Sequence, residues 1–217
     1  MFLYNSIPTV VVQDNVASPQ ECQYLINLAE RIGLQKNKVN GKGKQTEDDK
    51  IRTSEGVFIP SGSDQTLDEI VERLSAIARV PSSRAEPITI QRYIVGQEYK
   101  PHWDAWPTDA KVEQPPELED AGNRSVTLLL YLNDSDGGST GFPNLGFVVQ
   151  AMQGRILMFG NLDENKEPHP LSLHMGMSPE SGEKWVMTIW FREHEYKKGI
   201  TRSIKSKRTK KTKSKTT

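Results

Sequence analysis

The sequence predicts an α+β domain in which a β-sandwich or barrel is flanked by N-terminal helices. Two amphipathic helical patterns, with one strand pattern before them and one between them, precede a series of short segments rich in β-branched and aromatic residues. Gly, Pro, Asn and Asp separate these segments, as they separate the strands of sandwiches and barrels. Helices grouped ahead of strands are typical of α+β domains. The 217 residues suit one domain of this type with an additional terminal segment.

Both helical patterns start at a recognisable cap. Ser18 and Pro19 supply an N-cap and a proline in the first turn, and this pattern ends near Gly33. The second pattern starts near Asp64. In each pattern the apolar residues fall on one helical face, which we expect to pack on the core. These faces contain Cys22, Leu25, Ile26 and Ala29 in the first helix, and Leu67, Ile70, Val71, Leu74, Ile77 and Ala78 in the second.

Strands are predicted on both sides of the second helix. The strand pattern occurs at residues 9–13, 52–59, 88–95, 125–132, 146–150, 155–159, 171–174 and 184–192. Two longer polar stretches interrupt the series. Residues 35–50 are rich in charge and glycine and are predicted to form a mobile loop. Residues 105–124 contain three prolines and five carboxylates, and a loop of this length in a compact domain is usually functional or disordered.

The charge of the chain is divided between two segments. Lys and Arg together number 28, as do Asp and Glu, but ten of the basic residues lie in residues 197–217, which contain no acidic residue. Residues 1–196 carry a net charge of −10 and form the predicted domain. The basic tail is predicted to be disordered, because Lys, Ser and Thr cannot form a core. A nucleic acid could bind only through this tail.

The composition also predicts the compartment. Cys22 is the lone cysteine, and the sequence shows no leader-like start and no apolar run long enough to span a membrane. These features favour a soluble, cytoplasmic protein without membrane contact. No pattern in the sequence specifies an oligomeric state, and a monomer is favoured.

His102-Trp103-Asp104 is the first candidate for metal binding. On an extended segment residues i and i+2 point to the same side, so an imidazole and a carboxylate converge. Alternation within Leu171-Ser-Leu-His174 places His174 opposite the two leucines, on a face predicted to turn inward. Two histidines and one carboxylate form the facial triad that holds Fe(II) with open positions. The absence of thiol ligands disfavours a structural zinc site.

Two further histidines are alternatives. His169 is a rival third ligand, but Pro168 and Pro170 keep its backbone out of a strand ladder, and His174 is therefore favoured. His194 follows the last predicted strand among polar residues and is predicted to be solvated.

The last predicted strand, residues 184–192, has two different faces. The wholly apolar face predicts a core position for Trp185, Met187, Ile189 and Phe191. The mixed face, predicted to look toward a cavity or solvent, contains Lys184, Val186, Thr188, Trp190 and Arg192. A lysine in a cavity could bind a carboxylate as a compact charge.

Six groups of residues occur together in the order and spacing of a known family. They are Arg52-Thr-Ser54; Arg92-Tyr93 with Gly96-Gln97-x-Tyr99-x-Pro101-His102-x-Asp104; Asn123-Arg124 with Thr127-Leu-Leu-Leu-Tyr131; Gly137-Gly-Ser-Thr140-x-Phe142-Pro143; Gly154-x-x-Leu157-x-Phe159; and Ser172-Leu-His174 with Gly182-x-Lys184-Trp185. With these groups the sequence resembles the prolyl 4-hydroxylase family of Fe(II)/2-oxoglutarate dioxygenases.

The resemblance implies a double-stranded β-helix, a cupin-like jelly-roll barrel with the helices packed on its outside. It assigns His102, Asp104 and His174 as Fe(II) ligands, in agreement with the choice made from the residues themselves. The implied reaction hydroxylates a carbon with 2-oxoglutarate and O2 as co-substrates and releases succinate and CO2. Ascorbate is implied as the reductant that rescues oxidised iron.

The resemblance also implies how 2-oxoglutarate binds. Lys184 would pair with its distal carboxylate, and Tyr93 and Thr140 would add hydroxyl hydrogen bonds. A charge-assisted pair with a carboxylate explains why a lysine would be kept inside a barrel.

The substrate implied by the resemblance is a prolyl residue in an extended peptide. A polyproline II ligand is already extended and loses little entropy on docking. The stretches 35–50 and 105–124 would be lids over the peptide, and Arg192 stands where relatives can carry histidine. The implied peptide contacts are Arg52, Ser54, Glu86, Tyr99, Arg124 and Trp190.

Two other functions stay open at this stage. The same chemistry could act on a free amino acid, another side chain or a nucleobase. In the second alternative, a non-catalytic jelly-roll module would bind nucleic acid through the basic tail.

Overall fold

Two antiparallel sheets form the framework of the domain in the computed structural model, which describes residues 1–37, 39–41, 44–46, 51–108 and 117–196. The larger sheet contains, in spatial order, β1 (Phe2–Ser6), β2 (Thr9–Gln13), β12 (Ile156–Gly160), β9 (Arg124–Tyr131), β14 (Glu183–Arg192), β7 (Ile88–Ile94), β6 (Glu55–Ile59) and β3 (Gln35–Lys36). The smaller sheet contains β11 (Phe147–Ala151), β10 (Ser135–Phe142), β13 (His174–Gly176) and β8 (Tyr99–His102).

The space between the two sheets is the interior of a barrel. Side chains from both sheets meet there, including Tyr131 and Phe159 from the larger sheet and Phe142 and Val149 from the smaller one. Two facing antiparallel sheets that share one core form the jelly-roll architecture of a double-stranded β-helix. The predicted fold class is therefore confirmed.

Two helices cover the outer face of the larger sheet. Helix α1 (Pro19–Ile32) begins after Ser18, whose hydroxyl and backbone N–H form a capping box with Glu21. Helix α2 (Gln65–Ala78) begins after Asp64, whose side chain accepts a hydrogen bond from the backbone N–H of Leu67. The apolar faces of both helices lie in one buried cluster with alternate residues of β14. Both helix predictions are confirmed at their N-caps.

Strand β14 contributes to two layers, as its alternation predicts. Trp185, Met187 and Ile189 pack outward against the helices. Lys184 and Trp190, on the other face, turn into the barrel and are 2% and 6% exposed. The mixed face was predicted to look toward either a cavity or solvent, and in the structure it faces the cavity.

The predicted strand at residues 171–174 is wrong over its first three residues. Pro170–Ser172 form a 3-10 turn, and strand β13 begins only at His174. Pro170 lacks an N–H for a ladder, and the Ser172 backbone N–H donates to the His169 carbonyl at 2.9 Å, which closes the turn instead.

Other differences concern short or glycine-rich strands. The predicted strand at residues 52–59 begins only at Glu55, and Arg52 forms an isolated bridge with Tyr99. The strand pattern did not predict β1, β8 or β10. Strand β8 contains a proline, and β10 contains three glycines, residues that weaken strand propensity.

The two stretches predicted to be loops contain regular structure. Within residues 35–50, β3 pairs with β6, and β4 (Val39–Gly41) pairs with β5 (Lys44–Thr46), so the loop prediction is wrong there. Within residues 105–124, helix α3 (Glu117–Ala121) is present. Residues 38, 42–43 and 47–50 of the first predicted lid, residues 109–116 of the second, and the basic tail, residues 197–217, lie outside the described residues.

No helix in the described ranges has the length and apolar character needed to cross a membrane.

Candidate metal and co-substrate site

Strand register brings the predicted metal ligands together. His174 on β13 lies directly opposite His102 on β8, and their ring centroids are 4.3 Å apart. Asp104 follows β8 by two residues and is buried. Its Oδ1 lies 3.6 Å from His102 Nε2, and its Oδ2 lies 3.5 Å from His174 Nε2. The three predicted ligands thus converge on one point in the barrel.

Backbone contacts orient both imidazoles. His102 Nδ1 lies 2.8 Å from the Lys100 carbonyl, and His174 Nδ1 lies 3.0 Å from the Ser172 carbonyl. A carbonyl only accepts, so each Nδ1 carries a proton and, in a neutral ring, each Nε2 keeps a lone pair toward Asp104. Burial lowers the pKa of His174 to about 4, so this ring is neutral at pH 7. Burial alone would raise the pKa of Asp104, but at acid pH, where His174 is protonated, this charge together with His102 and Arg124 holds the pKa of Asp104 well below its usual range.

The arrangement fits a divalent cation. One ligand atom from each of His102, Asp104 and His174 lies within 4.8 Å of the others. Two imidazole lone pairs and an anionic oxygen facing one another repel unless a cation lies between them, and imidazole with carboxylate suits Fe(II). The orientation of each ring by its other nitrogen is also typical of metal-binding histidines.

The two alternative histidines lie elsewhere. His169 Nδ1 accepts a hydrogen bond from the Leu171 backbone N–H at 3.1 Å, and His169 lines a separate cavity of about 730 Å³ between the β1–β2 turn and the end of α2. His194 is exposed beyond β14. The structure therefore groups His102 and Asp104 with His174 and not with His169.

Lys184 lies in the same barrel as the three ligands. It is directly opposite Tyr93 in the β14–β7 pair, and its Nζ is 5.1 Å from the Tyr93 ring centroid and 5.8 Å from that of Tyr131. The ammonium donates to the Ser139 carbonyl at 3.3 Å. Burial lowers the pKa of Lys184 to about 7, and no carboxylate of the described residues pairs with it. A buried lysine without an anionic partner is suited to an anionic ligand.

Hydroxyl groups surround this lysine. The Tyr131 hydroxyl donates to Thr140 Oγ1 at 2.8 Å, and the Tyr93 hydroxyl donates to Gln91 Oε1 at 3.0 Å. Tyr93 and Thr140 were predicted here, whereas Tyr131 and Gln91 were missed. Alternation along β7 was an available signal for Gln91, because it puts this residue on the same strand face as Tyr93.

The cavity between the metal ligands and Lys184 is small, with a volume of about 40 Å³. Side chains must move to admit a five-carbon dicarboxylate. The cavity is lined by Arg52, Gln91, Tyr93, Tyr99, His102, Asp104, Leu129, Thr140, His174, Gly176, Lys184, Val186, Thr188 and Trp190.

Three of the predicted peptide contacts form one side of the site entrance. The Tyr99 ring stacks on His102 with centroids 3.5 Å apart, and the Arg52 guanidinium lies 4.6 Å from the Tyr99 ring centroid. Ser54 is buried, and its hydroxyl accepts hydrogen bonds from Arg52 Nε at 3.3 Å and Asn37 Nδ2 at 2.9 Å. Ser54 thus orients Arg52, and Tyr99 presents an aromatic edge beside His102, a candidate metal ligand.

The other three predicted contacts form a second wall. Arg124 donates to both oxygens of Glu86, with both distances at 2.7 Å, and its guanidinium lies 3.9 Å from the Trp190 ring centroid. The same guanidinium lies 4.6 Å from the Trp106 ring centroid. Arg192, 3.0 Å from Glu86 Oε1, completes a buried group in which one carboxylate holds two arginines. Glu86 and Arg192 therefore position Arg124.

Comparisons with known proteins agree with this geometry. The family model of the 2OG-Fe(II) oxygenase superfamily matches residues 88–192. Prolyl 4-hydroxylase 5 of Arabidopsis thaliana is 31% identical over an alignment that covers 88% of this chain and 70% of that protein. Prolyl 4-hydroxylase 2 of the same plant is also 31% identical, over 91% of this chain and 71% of that protein.

A solved structure is similar to this chain in both sequence and fold. The viral collagen prolyl hydroxylase of Paramecium Bursaria Chlorella virus-1, in its 2OG complex, is 26% identical to this chain. It superposes with a TM-score of 0.67 over 84% of this chain and 95% of its own. The sequence identity to the plant enzymes over most of both chains, together with this fold, shows that the chain belongs to the prolyl 4-hydroxylase family of 2OG-Fe(II) oxygenases.

Proposed function

We propose that the protein hydroxylates prolyl residues of peptides or proteins to 4-hydroxyproline, using Fe(II), 2-oxoglutarate and O2 and releasing succinate and CO2. One observation carries the proposal: the His102–Asp104–His174 group and the buried Lys184 face the same cavity. A metal site and a carboxylate site within one barrel are what a metal-chelating keto acid with a distal carboxylate requires.

The three ligands have the task of holding the metal on one side. Fe(II), once bound with 2-oxoglutarate and O2, would supply the oxidising chemistry that attacks an unactivated C–H bond. The chain contributes the imidazoles of His102 and His174 and the carboxylate of Asp104, which would leave the other coordination positions to the co-substrates. Ascorbate is the reductant that we expect sustained turnover to need.

Lys184 and its neighbours would bind the distal carboxylate of 2-oxoglutarate. The ammonium supplies the charge. The Thr140 hydroxyl accepts from Tyr131 and so keeps its own proton for the ligand, and Tyr93 would donate to the ligand in place of Gln91. The buried side chains around them exclude water from the co-substrate. Binding at this end orients the keto acid toward the three metal ligands.

Tyr99 and Trp190 would pack against the substrate proline. Their rings lie at the two walls of the entrance and both line the cavity. Arg124 has five N–H donors, of which Glu86 takes two and the Asp104 carbonyl, at 3.5 Å, one. The remaining donors can bind a carbonyl of an extended peptide, while the pair with Glu86 keeps the guanidinium in place.

The first test is hydroxylation of a peptide panel containing poly(L-proline), collagen-like repeats and other proline-containing sequences. We expect a product heavier by about 16 Da, the mass of one oxygen atom, formed only with Fe(II), 2-oxoglutarate and O2. Mass spectrometry locates the product on proline, and succinate is measured in parallel. The matched control is the same panel with each target proline replaced by alanine.

The outcomes separate the possible substrates. Turnover of 2-oxoglutarate with no hydroxylated proline in any peptide would contradict prolyl hydroxylation and favour another substrate for the same chemistry. The absence of 2-oxoglutarate turnover under every condition would contradict the oxygenase itself.

The affinity for 2-oxoglutarate is expected to depend on pH through Lys184. In the free protein Lys184 has a pKa of about 7, and the bound carboxylate favours its charged form. Below pH 7 the lysine is already charged, and the affinity is constant. Above pH 7 binding must take up a proton, so the Kd rises by up to about tenfold per pH unit until the pKa of the complex is reached.

Calorimetry with the Mn(II)-loaded protein checks this between about pH 6 and pH 9. Lys184→Arg is the control, since arginine stays charged throughout this range, and it should bind 2-oxoglutarate with a Kd that does not vary with pH. A wild-type Kd that is equally flat would contradict the assignment.

A further inference from the structure

A chain of hydrogen bonds lies behind the metal-facing carboxylate. The Thr127 hydroxyl lies 2.6 Å from Asp104 Oδ2, and Asn161 Nδ2 lies 2.9 Å from Thr127 Oγ1. Both Thr127 and Asn161 have no exposed surface. Neither residue was predicted as part of the site from the sequence.

The direction of each hydrogen bond in this chain follows from chemistry. The ionised Asp104 only accepts, so the one proton of the Thr127 hydroxyl points to Oδ2. Thr127 Oγ1 must then accept from its other neighbour, which makes the amide nitrogen of Asn161 the donor. The contact of 2.6 Å is within the short range of charge-assisted O–H···O⁻ bonds.

The amide oxygen of Asn161 indicates that the hydrogen bond to Thr127 determines how the Asn161 amide is oriented. Asn161 Oδ1 is buried and finds no hydrogen-bond partner among the residues that the structure describes. Turning the amide over would place this oxygen against Thr127 Oγ1, whose proton is already committed to Asp104, so two acceptors would face each other. A buried polar atom without a partner is costly, and the donation to Thr127 offsets that cost.

Backbone hydrogen bonds of Asn161 connect these side-chain hydrogen bonds to the turn that precedes His174. Its N–H donates to the Ser125 carbonyl at 2.9 Å, and its carbonyl accepts from the His169 backbone N–H at 2.8 Å. His169 begins the turn whose Ser172 carbonyl accepts from His174 Nδ1. Asn161 is therefore fixed on both sides, and its side chain has little freedom to move away from Thr127.

We propose that Thr127 and Asn161 are positioning residues that set the metal affinity by holding Asp104 in one orientation. The Thr127 hydroxyl donates a hydrogen bond to Oδ2 of Asp104. Oδ1, which faces His102, is therefore the oxygen more available to coordinate the metal. Without the hydroxyl, the carboxylate can rotate and must be reordered when the metal binds. The inference rests on the metal site of the proposed function.

Thr127→Val tests the inference, because valine keeps the shape and removes only the donor. We expect the Kd for Mn(II), measured by calorimetry or by the EPR signal of free Mn(II), to rise about 10- to 100-fold. Thr127→Ser restores the hydroxyl and should stay within about threefold of the wild type. Thr89→Val is the matched control: Thr89 is fully buried on β7, and its hydroxyl has no partner among the described residues.

A double-mutant cycle shows whether Asn161 acts on Asp104 through Thr127 or whether the two substitutions disturb the structure independently. Asn161→Leu removes the second donor and should weaken Mn(II) binding less than Thr127→Val does. The double variant should bind Mn(II) no more weakly than Thr127→Val alone, because Asn161 acts only through Thr127. Thermal unfolding of each metal-free variant shows whether it is folded.

Two results would overturn the inference. One is an Mn(II) affinity of folded Thr127→Val equal to that of the wild type and of Thr89→Val. The other is an additive loss in the double variant, which would indicate independent structural damage. If the wild type itself binds no Mn(II), the metal site and the proposed function fail together, whereas a normal wild type with an unaffected Thr127→Val refutes only the positioning role.

Discussion

Replacing His174 by alanine is expected to abolish succinate formation from 2-oxoglutarate, and His102→Ala should do the same. Each histidine is one of the three proposed ligands, and both rings are already oriented by a backbone carbonyl. Loss of a ligand should weaken Mn(II) binding by at least about 100-fold, beyond the effect of losing an outer hydrogen-bond partner. Succinate assays and Mn(II) calorimetry measure the two losses.

His194→Ala is the control for these variants, since this histidine is exposed beyond the last strand. It should retain wild-type turnover and Mn(II) affinity. Retained iron-dependent succinate formation by His102→Ala or His174→Ala would refute the assignment of the ligands.

Lys184→Met is expected to change co-substrate affinity and stability in opposite directions. Methionine has a similar length and no charge, so the Kd for 2-oxoglutarate should rise about 30- to 1000-fold, the cost of losing one partner of a buried charge pair. The ligand-free protein should become more stable, because the substitution removes a buried ammonium that no carboxylate of the described residues pairs with. Its Tm should increase by at least about 3 °C.

Lys166→Met is the matched control, because the Lys166 side chain is 66% exposed and contacts Glu193 away from the cavity. It should leave the Kd for 2-oxoglutarate unchanged. An unaltered Kd in Lys184→Met would contradict the carboxylate site, and a lower Tm would show that the lysine stabilises the ligand-free barrel.

The helices and the grouping of His102 with Asp104 were predictable because their signals are local. Ser18 and Asp64 cap helices through contacts with residues three positions away, and the apolar faces repeat with the helical period. His102 and Asp104 are neighbours in the chain. The prediction that His174, and not His169, lies beside His102 in the barrel agrees with the structure. The predicted strand that supported this prediction begins only at His174 itself.

Errors occurred where backbone hydrogen bonding overrides residue type. The alternation in residues 171–173 resembles a strand, but Pro170 and the His169 carbonyl form a 3-10 turn there. Strand β10 was missed because its glycines have no strand propensity of their own. A side chain at Gly138 would lie 2.4 Å from Ser135 Oγ and 3.2 Å from Lys184 Cβ, so this glycine is needed where β10 passes the lysine.

The residue types in the chain were sufficient to predict the chemistry: two imidazoles, a carboxylate and a lysine. Their assembly into one site depends on strand register, which pairs His174 with His102 and Lys184 with Tyr93. Register between distant strands is set by the packing of the whole barrel, and no local pattern records it. The contact of Thr127 with Asp104 has the same origin, and for this reason the support behind the metal ligand became visible only in three dimensions.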